Sequence, residues 1–151
     1  MLLAYRLPRE PSTPRIAVWR KLRRLGVVQI IDGLVGLPLD ARTREQLEWV
    51  ADEVADAGGE ASLWVAEATS ARQERVFAEQ MAAAVAEEYA TVVADALAAS
   101  AQPQGQRSRT LARLRRELRR IHGRDFFPPP NADIARNAVE ALAGATQDAV
   151  R

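Results

Sequence analysis

The residues of this chain best suited to bind a ligand are its arginines, which are concentrated in two short segments. Residues 107–124 contain eight arginines and a single acid, Glu117. A guanidinium group offers a fork of N–H donors that matches phosphate oxygens, so this density favours contact with DNA phosphates and a binding affinity that falls steeply with salt. Phosphate contacts alone carry no sequence information. The residues that we expect to contact DNA are Arg20, Lys21, Arg23 and Arg24 in the first segment and Arg113, Arg115, Arg116, Arg119 and Arg120 in the second.

The net charge of +1 conceals a strong segregation of charge along the chain. Residues 1–39 carry a net charge of +5, residues 40–100 a net charge of −9, and residues 101–151 a net charge of +5. Adjacent acidic and basic segments can also pair with each other or with a partner subunit. The alternative to DNA binding is therefore a protein-interaction module that pairs with a separate sensor chain through its charge-segregated helices.

Residues suited to catalysis or metal binding are scarce. The chain has no cysteine, which excludes a disulfide framework and a thiolate metal site. With His122 as its single histidine, no Ser-His-Asp arrangement can be argued from the sequence. It also lacks a glycine-rich phosphate loop. We therefore expect a protein that is not an enzyme and that needs no cofactor or metal. The sequence contains neither the pattern of a secretory signal nor an apolar run of membrane-spanning length, so we expect a soluble, cytoplasmic protein.

The first half of the chain alternates strand and helix signals. Pro8 ends an apolar strand, Gly26 supplies a left-handed stop for a helix, and Asp32-Gly33 is a hairpin signal. The resulting order, βαββαβ, is the split βαβ pattern of ferredoxin-like folds, in which two helices cover one face of a four-stranded antiparallel sheet. The predicted strands are residues 2–7, 27–31, 34–38 and 61–65, and the predicted helices begin at Ser12 or Thr13 and at Asp40 or Thr43.

The second half is predicted to be entirely helical. Residues 70–100 are alanine-rich and free of glycine and proline, residues 101–106 read as a flexible break, and residues 109–122 form a second helix. Asn131 is expected to cap a final helix with Ile134, Val139 and Leu142 facing inward. The predicted fold class is therefore α+β: a ferredoxin-like domain at residues 1–69 followed by an all-helical C-terminal extension at residues 70–151, packed on it.

Several ordered motifs resemble one known family, the N-terminal domain of ChrB, the chromate-resistance regulator. In the first half they are Ala4-Tyr5-Arg6-Leu7-Pro8-Arg9-Glu10-Pro11-Ser12, Val18-Trp19-Arg20-Lys21-Leu22, Leu25-Gly26 and Asp32-Gly33. Further along they are Thr43-Arg44-Glu45-Gln46-Leu47-Glu48-Trp49, Gly58-Gly59-Glu60-Ala61, Arg119-Arg120-Ile121 and Asp125-Phe126-Phe127-Pro128. The resemblance covers nearly the whole chain.

The resemblance implies a bacterial cytoplasmic repressor that binds promoter DNA of a chromate efflux operon until chromate releases it. We expect a homodimer. Longer family members carry a second domain, so chromate is expected to act as effector here only where a sensing domain or chain is supplied. Arginines would bind chromate as they bind DNA phosphate, and their abundance does not distinguish the two.

The first half also looks like the ferredoxin-like domain of phenylacetate-pathway repressors and of small CRISPR adaptation proteins. The nuclease activity of the latter requires an aspartate at the end of the first strand. The corresponding stretch here reads Ala4-Tyr5-Arg6-Leu7, which argues against nuclease chemistry.

Overall fold

A computed structural model describes residues 1–148 of the chain. It has the predicted α+β class, with a sheet built from the first half of the chain and helices alone in the second half. The elements are β1 (Leu2–Arg6), α1 (Thr13–Leu25), β2 (Val28–Ile31), β3 (Leu34–Gly36), α2 (Ala41–Asp56), β4 (Glu60–Trp64), α3 (Ala71–Ser100), α4 (Gln104–His122) and α5 (Asn131–Asp148).

The four strands form one antiparallel sheet in the order β2-β3-β1-β4, which confirms the ferredoxin-like prediction. The first strand is central, and its Leu3 lies opposite Val35 on one side and Leu63 on the other. Leu3 and Val35 are fully buried, as are Leu22 of α1 and Leu47 of α2. The core of this part of the chain therefore lies between the sheet and the two helices.

The ends of α1 and α2 follow from local chemistry that the sequence displays. Gly26 ends α1 in the left-handed conformation, with φ of 80°. Asp40 begins α2 with a reciprocal capping box: its side chain accepts from the Thr43 N–H at 2.7 Å, and its own N–H donates to Thr43 Oγ1 at 3.0 Å. The hydrogen bond from the Thr43 N–H lowers the pKa of the Asp40 carboxyl.

The second half has a helical core of its own, and two predicted details there are wrong. Helix α4 begins at Gln104, not at 109, because Pro103 acts as N-cap and its carbonyl accepts from the Gln106 and Arg107 N–H groups. Ile134 is 55% exposed, since α5 buries the stripe that contains Ala135, Val139 and Leu142.

Asn131 does not cap α5, contrary to the sequence-based expectation. Its side-chain Nδ2 donates to the Ala86 carbonyl of α3 at 2.7 Å, and its Oδ1 is buried without a hydrogen-bond partner. The Asn131 amide thus connects α5 to α3, and its Oδ1 accepts no hydrogen bond from the first turn of α5.

The chain divides into two compact units, Met1–Ala78 and Glu79–Arg151. The predicted domain boundary at residue 70 and the packing of the extension on the first domain stay predictions. None of the helices within residues 1–148 combines the length and the apolar composition that a membrane-spanning segment requires.

Candidate nucleic-acid interface

Helix α1 separates an apolar face from a basic face. Val18 and Leu22 are buried, whereas Arg20, Arg23 and Arg24 are exposed. At 100° per residue these three arginines project away from the buried pair. We call these three residues the α1 basic set; within residues 1–148 none of them forms an ion pair.

Lys21 differs from its neighbours on α1. It is half-buried and forms an ion pair with Glu53 of α2, which draws its ammonium group toward that helix. The sequence-based prediction grouped Lys21 with the arginines because helical spacing assigned all four basic residues to the side opposite Val18 and Leu22. In the folded chain it is the member of that group least available to an external phosphate.

Arg23 lies over the indole ring of Trp19, one helical turn earlier on α1. Its guanidinium carbon is 6.0 Å from the ring centroid, at the outer limit of a cation–π contact. Arg23 keeps its charge at the surface in this position, and Trp19 is half-buried beneath it. An aromatic ring and a cation are thus adjacent on the basic side of α1.

Helix α4 carries its arginines in two groups. Its buried stripe contains Leu111, Leu114 and Ile121, as predicted. Opposite and beside this stripe lie four exposed arginines that have no ion-pair partner within residues 1–148. We call them the open stripe: Arg109, Arg115, Arg116 and Arg119.

Two other arginines of α4, Arg113 and Arg120, are bound to acids, whereas Arg107 donates to the Gln102 and Ala145 carbonyls. Arg113 donates to Asp95 of α3 at 2.7 Å, and Arg120 pairs with Glu117 on its own helix and lies 3.9 Å from Glu88 of α3. The hydrogen bond to Glu117 raises the pKa of Arg120. The predicted five-residue cluster is therefore divided: Arg113 and Arg120 connect helices, while Arg115, Arg116 and Arg119 face solvent.

Arg109 belongs to the open stripe but was not among the residues expected to contact DNA. It is two helical turns before Arg116, and the sequence offered this i, i+7 spacing as a signal. The prediction placed the start of α4 at Arg109 itself. Because α4 begins five residues earlier, Arg109 is inside the helix.

The two basic sets lie in different compact units, α1 in the first and α4 in the second. Each is thus a separate candidate contact surface. Within residues 1–148, no group of three or more histidine, cysteine, aspartate or glutamate side chains is arranged to hold a metal ion.

Comparison with known proteins bears on the first unit and on α3. No curated protein and no solved structure matches the chain. A family model described as protein ChrB, N-terminal, matches residues 15–103, which contain the α1 basic set but end before α4. The match covers more than half of the 151 residues. The chain therefore belongs to the ChrB N-terminal domain family of chromate-resistance regulators.

Proposed function

We propose that this domain binds promoter DNA as a transcriptional regulator and contacts the phosphate backbone through the open stripe of α4. The observation that carries the proposal is the stripe itself, four exposed arginines without an acid partner in the described residues. Intramolecular pairing explains Arg113 and Arg120 but leaves the stripe unexplained. Arginine N–H groups left in solvent retain their capacity for bidentate contact with phosphate.

The α1 basic set supplies the second contact surface of this proposal. Arg20, Arg23 and Arg24 are exposed on consecutive turns of a helix whose other face is anchored in the core. A rigid helix holds its charges at fixed spacing, so phosphate contacts there would also fix the orientation of the domain on a duplex. Lys21 would contribute less because of its ion pair with Glu53.

Family membership supports a more specific version of the proposal. The domain would act in the cytoplasm as a homodimeric, non-enzymatic repressor of a chromate-resistance operon. Chromate would act as effector where another domain or chain supplies the sensing site. Neither a cofactor nor a metal is part of this proposal.

A second candidate function rests on the exposed face of α2. Glu45, Glu48, Asp52 and Asp56 fall on one side of that helix together with Trp49, which is 55% exposed. We call this set the α2 acidic face. An exposed aromatic residue among acids is suited to a basic protein partner, so the domain would pair with a separate sensor chain or with a second copy.

The test is a salt series of binding to DNA from the upstream region of the gene, with scrambled DNA of equal length as competitor. The proposal predicts preference for the upstream sequence and an affinity that falls steeply as salt rises. Equal affinity for both DNAs would remove the regulator function and leave electrostatic binding alone. Absence of binding to either DNA at low salt would contradict the proposal and favour a protein partner.

A further inference from the structure

An open groove lies in the first compact unit, where α1 begins beside the β2–β3 hairpin and the end of β1. Its volume is about 530 Å³, within the range of roughly 300–1,000 Å³ that small-ligand sites occupy. The side chains that matter for its chemistry are Tyr5, Arg9, Arg15, Trp19, Gln29 and Asp32. None of them belongs to the open stripe or to the α1 basic set.

We propose that this groove binds a nucleotide, with the phosphate held by Arg9 and Arg15 and the base stacked on the indole of Trp19. The inference goes beyond DNA contact by α4, because it assigns a different surface and a single nucleotide unit. The nucleotide can come from two sources, a free mononucleotide or one residue of a single-stranded DNA segment. Both present the same phosphate and base.

The phosphate side of the groove is defined by two unpaired cations. Arg9 and Arg15 are both exposed and form no ion pair within residues 1–148. Arg15 lies in the first turn of α1, which contains no acidic residue and whose N-cap, Ser12, makes no side-chain capping bond. The positive end of the helix dipole therefore adds to the two guanidinium groups in favouring an anion.

The base side of the groove is aromatic. Trp19 is half-buried and lines the groove, with Arg23 6.0 Å from its ring centroid. Its indole N–H donates to no acceptor within residues 1–148. Stacking on an aromatic ring is tolerant of base identity, because every base has a π face.

A polar pair at the hairpin distinguishes a nucleotide from a simple oxyanion. Gln29 Nε2 donates to Asp32 Oδ1 at 3.0 Å, which leaves Gln29 Oε1 and Asp32 Oδ2 as acceptors. Acceptors of this kind suit the exocyclic amino group of adenine, cytosine or guanine. The lining of the groove combines two cationic side chains with one carboxylate, and the Asp32 carboxylate would repel a bare inorganic anion.

The experiment uses the fluorescence of Trp19 in the full chain. The chain has three tryptophans, and the variant Trp49→Phe/Trp64→Phe retains only Trp19. Both replaced residues are more than half exposed. It is titrated separately with AMP, with a single-stranded eight-residue oligodeoxyadenylate and with inorganic phosphate. Circular dichroism confirms that each variant is folded.

Saturable quenching by AMP supports the proposal with a free nucleotide as ligand, and quenching by the oligonucleotide alone supports it with a DNA strand as source. In that background Arg9→Gln/Arg15→Gln should weaken binding about tenfold or more, because two charge-assisted hydrogen-bonding groups are lost. The matched control Arg72→Gln/Arg75→Gln removes the same charge from the exposed start of α3, outside the groove, and should change affinity by less than about threefold.

Three results would overturn the proposal: no quenching by AMP or by the oligonucleotide, phosphate binding as tightly as AMP, or equal losses in the two arginine pairs. A failure of duplex DNA binding by α4 would be distinguished from a failure of nucleotide binding in the groove, because the two are measured with different ligands. The variant Arg115→Gln/Arg116→Gln should retain the AMP response even where it loses duplex DNA.

Discussion

Gly33 and Gly58 share a backbone conformation but differ in what surrounds them. Both have φ of 76°, a left-handed value that costs an L residue about 1–2 kcal/mol. A Cβ on Gly33 would lie 2.6 Å from the Tyr5 carbonyl oxygen, whereas a Cβ on Gly58 would meet no atom within 4 Å. Gly33 is thus required by the close approach of β1 as well as by its turn.

We therefore expect Gly33→Ala to lower the free energy of unfolding by about 3 kcal/mol or more and Gly58→Ala by only about 1 kcal/mol. The difference isolates the contact with Tyr5, because the backbone strain is common to both variants. Urea denaturation followed by circular dichroism measures both losses. Equal losses would show that the hairpin relaxes away from β1 at no cost.

Tyr89 predicts a dependence of stability on alkaline pH. Its buried hydroxyl donates to Asp125 Oδ2 at 2.9 Å, and burial together with this carboxylate raises the pKa of Tyr89 to about 12. Between about pH 10 and 12 the folded chain keeps this proton and the unfolded chain loses it. The contribution is complete below pH 10, and the free energy of unfolding should then fall by up to about 1.4 kcal/mol per pH unit.

Tyr89→Phe removes the titrating group and should flatten this decline. The measurement is urea denaturation between pH 9 and 11.5 for wild type and variant, since their difference cancels groups that titrate elsewhere. Parallel curves would show that Tyr89 titrates alike in the folded and unfolded states. At neutral pH the variant should also be less stable, because Asp125, whose Oδ1 is already buried without a partner, loses the hydrogen bond at Oδ2.

For the charged residues, the sequence predicted which side chains are exposed but not which ion pairs they form. Helical spacing predicted that Arg113 and Arg116 of α4 avoid the buried stripe, and both are exposed. It did not predict that Arg113 pairs with Asp95, 18 residues away, or that Arg124 pairs with Glu88, 36 residues away. Such pairs depend on how α4 lies against α3, which no local pattern encodes.

At the scale of elements, the boundaries with a local chemical cause were predicted and the others were not. Gly26 and Asp40 carry their own signals, a left-handed stop and a capping box. The start of α4 has no such signal. There Arg107 Nη2 donates to the Gln102 carbonyl, and Thr110 Oγ1 donates to Gln102 Oε1. These bonds to the preceding turn stabilise the first turn of α4, although its Gly105 disfavours helix formation.

In α5 the prediction was right for Val139 and Leu142, which are buried, and wrong for Ile134. Ile134 is the largest apolar residue of its first turn, yet the helix buries Ala132 and Ala135 instead. Ala132 and Ala135 belong to the buried cluster that α3, α4 and α5 share, and the neighbouring Asn131 donates to the Ala86 carbonyl of α3. Hydrophobicity ranked Ile134 first, but the geometry of the helix contact selected the alanines.

The division of arginines on α4 leads to a prediction for that helix. Arg115→Gln/Arg116→Gln removes two charges of the open stripe, whereas Arg113→Gln/Arg120→Gln removes two charges already engaged by acids. We expect the first pair to reduce the slope of log affinity against log salt by about 2, because each phosphate contact releases about one counterion. The second pair should change the slope by less than about 1.

Fluorescence anisotropy with labelled upstream duplex at several salt concentrations provides both slopes. The two variants have the same net charge, so a general electrostatic effect would alter them equally. Equal changes would mean that the stripe makes no direct phosphate contact. A larger change in the second pair would place the contact at Arg113 and Arg120.

At the scale of the whole molecule, the charge pattern serves either of the two proposed functions. The acidic middle segment contains the α2 acidic face, and the basic segment that follows contains the open stripe. In two copies of the chain, the stripe of one can meet the acidic face of the other. The regulator and the interaction module therefore differ in what the stripe binds: DNA phosphate or a protein carboxylate.

These alternatives predict different oligomeric behaviour for Arg115→Gln/Arg116→Gln. If the stripe binds DNA, its charges take no part in self-assembly. The mass measured by sedimentation equilibrium should then be the same for wild type and variant, and raising salt from about 50 to 500 mM should leave it unchanged. If the stripe binds a second copy, the variant and the wild type at high salt should both approach the monomer mass of 16.6 kDa. We expect the first result, because the stripe has four exposed arginines spread along α4 and the α2 acidic face is already partly neutralised where Arg44 donates to Glu48 at 3.0 Å.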